Sequence, residues 1–217
     1  MKVIKELLNR YSPVFIVIAL VSLALFYIPI KADSGVSKEV YIIGAIDQRT
    51  ALRVIGELTA ADKTPGDITL LIDSGGGGVA EGFLIIDTMR ICNNDVRTVV
   101  LTEACSMAAV VASAGTPGKR FAYPHSILLL HQMGMTYLEG QNVDKWYKMI
   151  EIVSKIEKQL CEEISKNTGH PVLEVRQSIK EDMWMTAQEA QDYGLIDIII
   201  ERPIPVERKD WDNGIDK

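Results

Sequence analysis

Ser106 stands where an apolar strand pattern, Val96 to Leu101, passes through Thr102-Glu-Ala-Cys into the helical run that begins at Met107. A serine at such a turn can hold its hydroxyl exposed while the helix N-terminus stabilises negative charge beside it. It can equally be a plain helix N-cap, a common role for serine. The surrounding residues are not GxSxG. His131 closes the apolar run Leu128-Leu-Leu130. A buried imidazole without a partner is costly, so it either meets a group from another segment or is a core histidine satisfied by one backbone bond. His125, in the loop YPHS, and His170, in the turn TGHP, follow no buried strand. Asp182 lies in Lys180-Glu-Asp-Met-Trp-Met-Thr186, just before an apolar stretch. Glu181 is its rival, and an exposed charged turn is the plainer reading.

The other chemical signal is Asp73-Ser-Gly-Gly-Gly-Gly78, between the strand pattern Ile68 to Ile72 and a helical pattern from Val79. Glycines let the backbone approach a ligand closely, and free amides at a strand–helix junction attract anions. A phosphate loop would need a following Gly-Lys-Ser/Thr, which is missing. A dinucleotide fingerprint fails because Gly75, Gly77 and Gly82 are wrongly spaced for GxGxxG. An oxyanion hole needs only well-aimed amides, and a tight turn needs nothing more.

These segments are carried by short runs rich in Val and Ile, too short for helices: Val40–Ile46, Ile68–Ile72, Val96–Leu101, Ile127–Leu130 and Ile196–Ile200. Near-continuous apolar strands suit a parallel sheet covered on both faces. Helical patterns fall near 49–61, 79–91, 106–114, 141–166 and 186–193. The last begins with a capping box, Thr186 to Glu189. The alternation predicts an α/β domain.

The chain has 217 residues, 47% of them hydrophobic, enough for one globular domain with a substantial core. Its net charge of -6 argues against a nucleic-acid partner. Cys92, Cys105 and Cys161 are an odd number at wide spacing, which predicts buried free thiols rather than a disulfide framework or zinc site. Residues 13–30 (PVFIVIALVSLALFYIPI) carry no charge. As a helix they would span about 27 Å, close to a hydrocarbon core of roughly 30 Å. Tyr11 and Tyr27 sit near the two ends of this run, as aromatic rings do at membrane interfaces. A cleaved signal peptide would want a small-x-small exit, and IPIKADS is a poor match. A buried core helix is a third reading, but the run has no polar face. The reading is a single membrane anchor over 13–30 within a 1–38 anchor and linker, then a catalytic domain over 39–201 and a polar tail over 202–217. Lys2, Lys5 and Arg10 before the run, against Lys31 and Lys38 after it, place the N-terminus inside and the catalytic domain outside.

Taken together, the four chemical segments resemble the proteolytic subunit of the Clp protease, ClpP, over Glu39 to about Glu201. The family's serine segment has the form T-x-x-hydrophobic-G-x-A-small-S-M; here it is Thr98-Val-Val-Leu-Thr-Glu-Ala-Cys-Ser-Met107. Its histidine segment, R-x-x-x-P followed later by three aliphatics and H-Q-P, is matched by Arg120, Pro124 and Leu128 to Gln132. Gly118-Lys-Arg120 and Tyr193-Gly-Leu-Ile-Asp197 are further matches. Thr102 replaces a family glycine, Met133 replaces the proline after H-Q, and Asp73-Ser-Gly-Gly-Gly77 replaces N-S-P-G-G. The apolar run stands where the family has its axial pore loop, so whether a ClpX- or ClpA-like AAA+ unfoldase docks is left open by the resemblance.

The resemblance implies a repeated β-β-α superhelix with a protruding handle helix, here 141–166, following the N-terminal transmembrane helix. It implies a serine endopeptidase acting on peptides or unfolded proteins without metal or organic cofactor. Ser106 would be the nucleophile, His131 the general base and Asp182 its orienting carboxylate, with the amides of Gly77 and Met107 as oxyanion hole. It also implies a homo-oligomer, a heptameric ring or double ring joined through the handle helices. Three alternatives accompany it: a signal-peptide-peptidase-like Ser–Lys enzyme using Lys119, a crotonase-like lyase or isomerase acting on acyl-CoA, and an inactive oligomeric scaffold.

Overall fold

β-branched and aromatic residues suit a pleated, half-buried surface, and the short apolar runs of this chain assemble into one seven-stranded sheet. The computed structural model describes residues 38–134 and 143–201. In chain order the elements are β1 (Glu39–Ile43), α1 (Gln48–Ala61), β2 (Ile68–Ser74), α2 (Val79–Ile91), β3 (Val96–Cys105), α3 (Met107–Ser113), β4 (Arg120–Ala122), β5 (Ile127–Leu130), α4 (Val143–Thr168), α5 (Val172–Ser178), β6 (Met183–Thr186), α6 (Ala187–Tyr193) and β7 (Ile198–Ile199). Strands β1, β2, β3, β4 and β7 are adjacent in that order and parallel. The expected α/β class with a parallel sheet is what forms. The expected β-β-α repeat occurs once among the described residues, as β4–β5–α4; elsewhere single strands alternate with helices.

Strand β3 organises the site because it has two neighbours on one side. Its first half pairs with β4, Thr98 to Val100 against Arg120 to Ala122. Its second half pairs with β5, Glu103 to Cys105 against Ile127 to Leu129. The apolar pattern had ended at Leu101 because Thr102 and Glu103 are exposed. The strand nevertheless continues to Cys105, since β5 supplies partners for its backbone. A register shift against β2 falls at this point, between Ile72 and Ser74. β6 then adds to β5 in antiparallel register, Leu130 opposite Met183 and Ile127 opposite Thr186.

One face of the sheet is sealed. Ile68, Leu70 and Ile72 are fully buried against Val54 and Leu58 of α1 and Ile85 and Ile86 of α2. Each such side chain contributes about 1.5–3 kcal/mol by leaving water. Helix α1 starts cleanly because the Asp47 carboxylate accepts the Thr50 N–H at 2.8 Å. The other face is covered only centrally: Val99 is buried, whereas Ile43 is 54% and Ile198 43% exposed. Cover on both faces, expected from the apolar runs, is thus partial among the described residues.

Several boundaries differ from the sequence reading for local reasons. β1 stops at Ile43 because Gly44 turns the chain at φ 75°, leaving Ile46 in an isolated bridge to Gly77. β4, β6 and α5 were not anticipated; they are three, four and seven residues long, too short to show a period. The Thr186–Glu189 capping box forms in full. Cys105 and Cys161 are buried as expected, but Cys92 is half-buried at the end of α2, its thiol donating to the Thr88 carbonyl.

The motif matches at Arg120 and Asp197 meet in space. The Arg120 guanidinium donates to both Asp197 oxygens and, through Nη1, to the carbonyls of Asn167 and Gly194, each at 2.8 Å. Burial alone would raise the Asp197 pKa, but the Arg120 hydrogen bonds and charge prevail and hold it below the usual carboxylate range. This ion pair ties β4 to the ends of α4 and α6.

Helix α4 divides in two along its length. From Glu157 onward Leu160, Cys161, Glu163 and Ile164 are buried, and Arg90 of α2 grips Glu163 with a two-pronged ion pair. The preceding turns instead expose Tyr147 (70%), Ile150 (52%) and Ile152 (52%). The helix therefore packs through its second half and leaves these three side chains exposed in its first. Among the described residues no helix is long and apolar enough to cross a membrane. The expected anchor over 13–30, the linker up to Ser37, the start of the 141–166 helix pattern and the tail from Arg202 lie outside the described residues.

Candidate active site

At the end of β3 the backbone of Ser106 adopts φ 55° and ψ -126°, the one positive-φ non-glycine residue among those described. A non-glycine residue held there costs on the order of 1–3 kcal/mol and persists only where its surroundings dictate it. Two constraints do so. The Ser106 N–H donates to the Leu129 carbonyl at 2.8 Å, pinning it to β5. Every residue of α3 behind it is buried. Ser106 occupies the N-cap position of α3, but its side chain makes no capping bond to the helix. Its hydroxyl takes no hydrogen-bond partner among the described residues, and the residue is half-buried.

His131 directly follows β5, and Asp182 directly precedes β6. Since Leu130 lies opposite Met183, continuing the antiparallel register by one residue sets His131 opposite Asp182. Directly opposed residues share a face of the sheet, which favours Asp182 over Glu181. The parallel pair Cys105–Leu129 likewise sets Ser106 level with Leu130, one residue from His131. Three segments distant in sequence thus meet at one corner of the sheet. Among the described residues no side-chain hydrogen bond joins Ser106 to His131 or His131 to Asp182. Catalytic hydrogen bonds are often long in unliganded enzymes and tighten with substrate. His131 is half-buried, and its ring has no backbone partner among the described residues.

The glycine bend packs directly on this corner. A Cβ on Gly76 (φ 95°) would lie 2.5 Å from the Cys105 carbonyl oxygen and 2.8 Å from Ser106 Cβ. Ser74 holds the bend from beneath: its Oγ donates to the Gly44 carbonyl at 2.6 Å and accepts the Gly76 N–H at 3.0 Å. Gly77 (φ 155°) bridges to Ile46, but the bridging bonds are made by its neighbours, Ile46 N–H to Gly76 O and Gly78 N–H to Ile46 O. Its own N–H takes no partner among the described residues. The Met107 N–H, first in α3, is unpaired in the helix for the general reason that first-turn amides are. Both amides named from the sequence therefore remain available. Gly76, not singled out beforehand, is the glycine that touches the serine turn.

Other candidates fall away on position. Lys119 carries the alternative Ser–Lys reading, but its carbonyl accepts the Thr98 N–H near the start of β3. That is roughly 20–25 Å from Ser106 at the rise of a strand. Its Nζ lies 2.7 Å from both Asp67 and Asp95, and these bonds raise its pKa, the wrong direction for a general base. His170 stacks on Tyr193 with centroids 4.3 Å apart and pairs with Glu174. Cys105 beside the serine has its thiol pKa raised, by burial first and by the Glu103 charge second, and is no nucleophile. A cavity of about 310 Å³ bordered by Cys92, Val96, Ser113 and Lys166 lies at the opposite end of β3.

Two departures from the family pattern turn out to face one another. The Thr102 hydroxyl donates to the Asp73 carboxylate, joining the bulged part of β3 to the entry of the glycine bend. Thr102 therefore belongs to the strand and does not tighten the serine turn.

A serine on a strained strand-to-helix corner of a largely parallel α/β sheet, near the ends of β5 and β6, is the arrangement the sequence expectation called for. The family model for Clp protease matches residues 34–203. The chain is 37% identical to ATP-dependent Clp protease proteolytic subunit 2 of Thermobifida fusca over 163 residues, 74% of this chain and 79% of that protein. It is 42% identical to the ATP-dependent Clp protease proteolytic subunit of Porphyromonas gingivalis over 159 residues, 72% of this chain and 71% of that one. The chain belongs to the Clp protease family and is a serine-type endopeptidase.

Proposed function

We propose that this endopeptidase works through a Ser106–His131–Asp182 triad, as a membrane-tethered ring oligomer that cleaves peptides or unfolded chains. The position of β5 between β3 and β6 carries the reading: it gathers the three chain ends beside the glycine bend. Ser106 attacks the peptide carbonyl, and His131 takes its proton and returns it to the leaving amine. Asp182 keeps the imidazole in the tautomer that can accept and favours the imidazolium that forms. The Gly77 and Met107 amides hold the oxyanion, each worth roughly 3–4 kcal/mol in comparable sites. Water then releases the acyl-enzyme by the same route in reverse.

The test is hydrolysis of a fluorogenic peptide by the detergent-solubilised full chain. Ser106→Ala and His131→Ala should each lose at least about a thousandfold in kcat, in line with triads elsewhere. Undiminished turnover in His131→Ala would remove the triad.

The tether rests on the uncharged run over 13–30. Alkaline carbonate should leave the chain in the membrane pellet, and deletion of 1–30 should release it. External protease should reach the catalytic domain if the charge bias sets its orientation. Release of the intact chain by carbonate would refute the tether.

A further inference from the structure

Glu157 is a carboxylate on α4, only 10% exposed at its side chain, and both of its oxygens are engaged by segments that lead to the site. Oε2 accepts from Gln132 Nε2 at 3.0 Å, and Gln132 directly follows His131. Oε1 accepts from Arg176 Nε at 3.2 Å, and Arg176 lies on α5, whose chain runs through buried Ile179 into Asp182. A buried carboxylate stripped of donors is strongly disfavoured. The group is therefore satisfied only when the histidine segment and the aspartate segment are both in place against α4.

We propose that Glu157 is a positioning residue which sets the relative placement of His131 and Asp182 by clamping Gln132 and Arg176. It touches neither substrate nor the reacting atoms. The inference rests on the triad reading above, because it explains how the base and its orienting carboxylate are held at one spacing. Misplacement of such groups by about 1 Å can cost up to a hundredfold in rate.

The test is a double-variant cycle on the full chain, with kcat and KM measured on a fluorogenic peptide and assembly followed by sedimentation. Gln132→Ala, a change at an exposed residue outside the core, should lower kcat about tenfold with KM within about twofold. Glu157→Ala should do the same, and the pair together should lose no more than the worse single variant. Glu157→Gln, which keeps an acceptor oxygen, should recover part of the loss. Unchanged kcat in Gln132→Ala, additive losses, or losses that follow a change in assembly would each overturn the clamp. If the wild type is no faster than Ser106→Ala, the triad reading itself fails and the clamp with it. A fast wild type with an indifferent Gln132→Ala overturns the clamp alone.

Discussion

At Ser106 the backbone holds a positive φ of 55°, a strained conformation for a serine. Substitution by glycine removes about 1–3 kcal/mol of strain and adds about 0.5–1 kcal/mol of unfolded-state entropy. Ser106→Gly should therefore be at least as stable as wild type in urea unfolding, while inactive; a loss beyond about 1 kcal/mol would mean the turn is relaxed. The type and order of the candidate residues were legible in the chain: a serine before a helix, a histidine ending an apolar strand, an aspartate before an apolar stretch. Their convergence was not, because it depends on β5 pairing with β3 on one edge and β6 on the other. The contacts of Gly76 with Ser106 and of Thr102 with Asp73 were hidden for the same reason: pairs far apart in sequence leave no periodic trace.

Among the elements, the α1–α2 layer carries a pH-sensitive link. Asp62, capping the end of α1, accepts the backbone N–H groups of Asn93 at 3.1 Å and Asn94 at 2.9 Å beyond α2. The Asn93 and then the Asn94 amides lower its pKa from 3.8 to about 2, against a small opposing effect of burial. A depressed carboxylate contributes stability that is complete above its unfolded pKa and disappears as pH falls through the folded one. Wild type should lose urea stability between pH 3.8 and about 2 more steeply than Asp62→Asn. Parallel curves would show that the link carries no charge dependence. α2 over Val79–Ile91, set off by the glycine run before it, could be read to the residue. β3 could not, because its last residues owe their extension to β5 and not to their own hydrophobicity. β4, with three residues, has too little sequence to announce itself.

For the whole molecule, the exposed first half of α4 and the half-open face of the sheet are surfaces the isolated chain leaves uncovered. If the chain assembles through this helix, Tyr147 and Ile150, exposed one turn apart, would be covered by the partner. Ile150→Asp should sediment as a smaller species than wild type while keeping its helical circular dichroism; an unchanged assembly would move the interface elsewhere. The central claim, that the hydroxyl at 106 is activated by the imidazole at 131, is tested most directly by mapping where a fluorophosphonate attaches. Mass spectrometry of the digested adduct should find the label on Ser106 in wild type and almost none in His131→Ala. Label on another residue, or undiminished label on Ser106 without His131, would contradict the account.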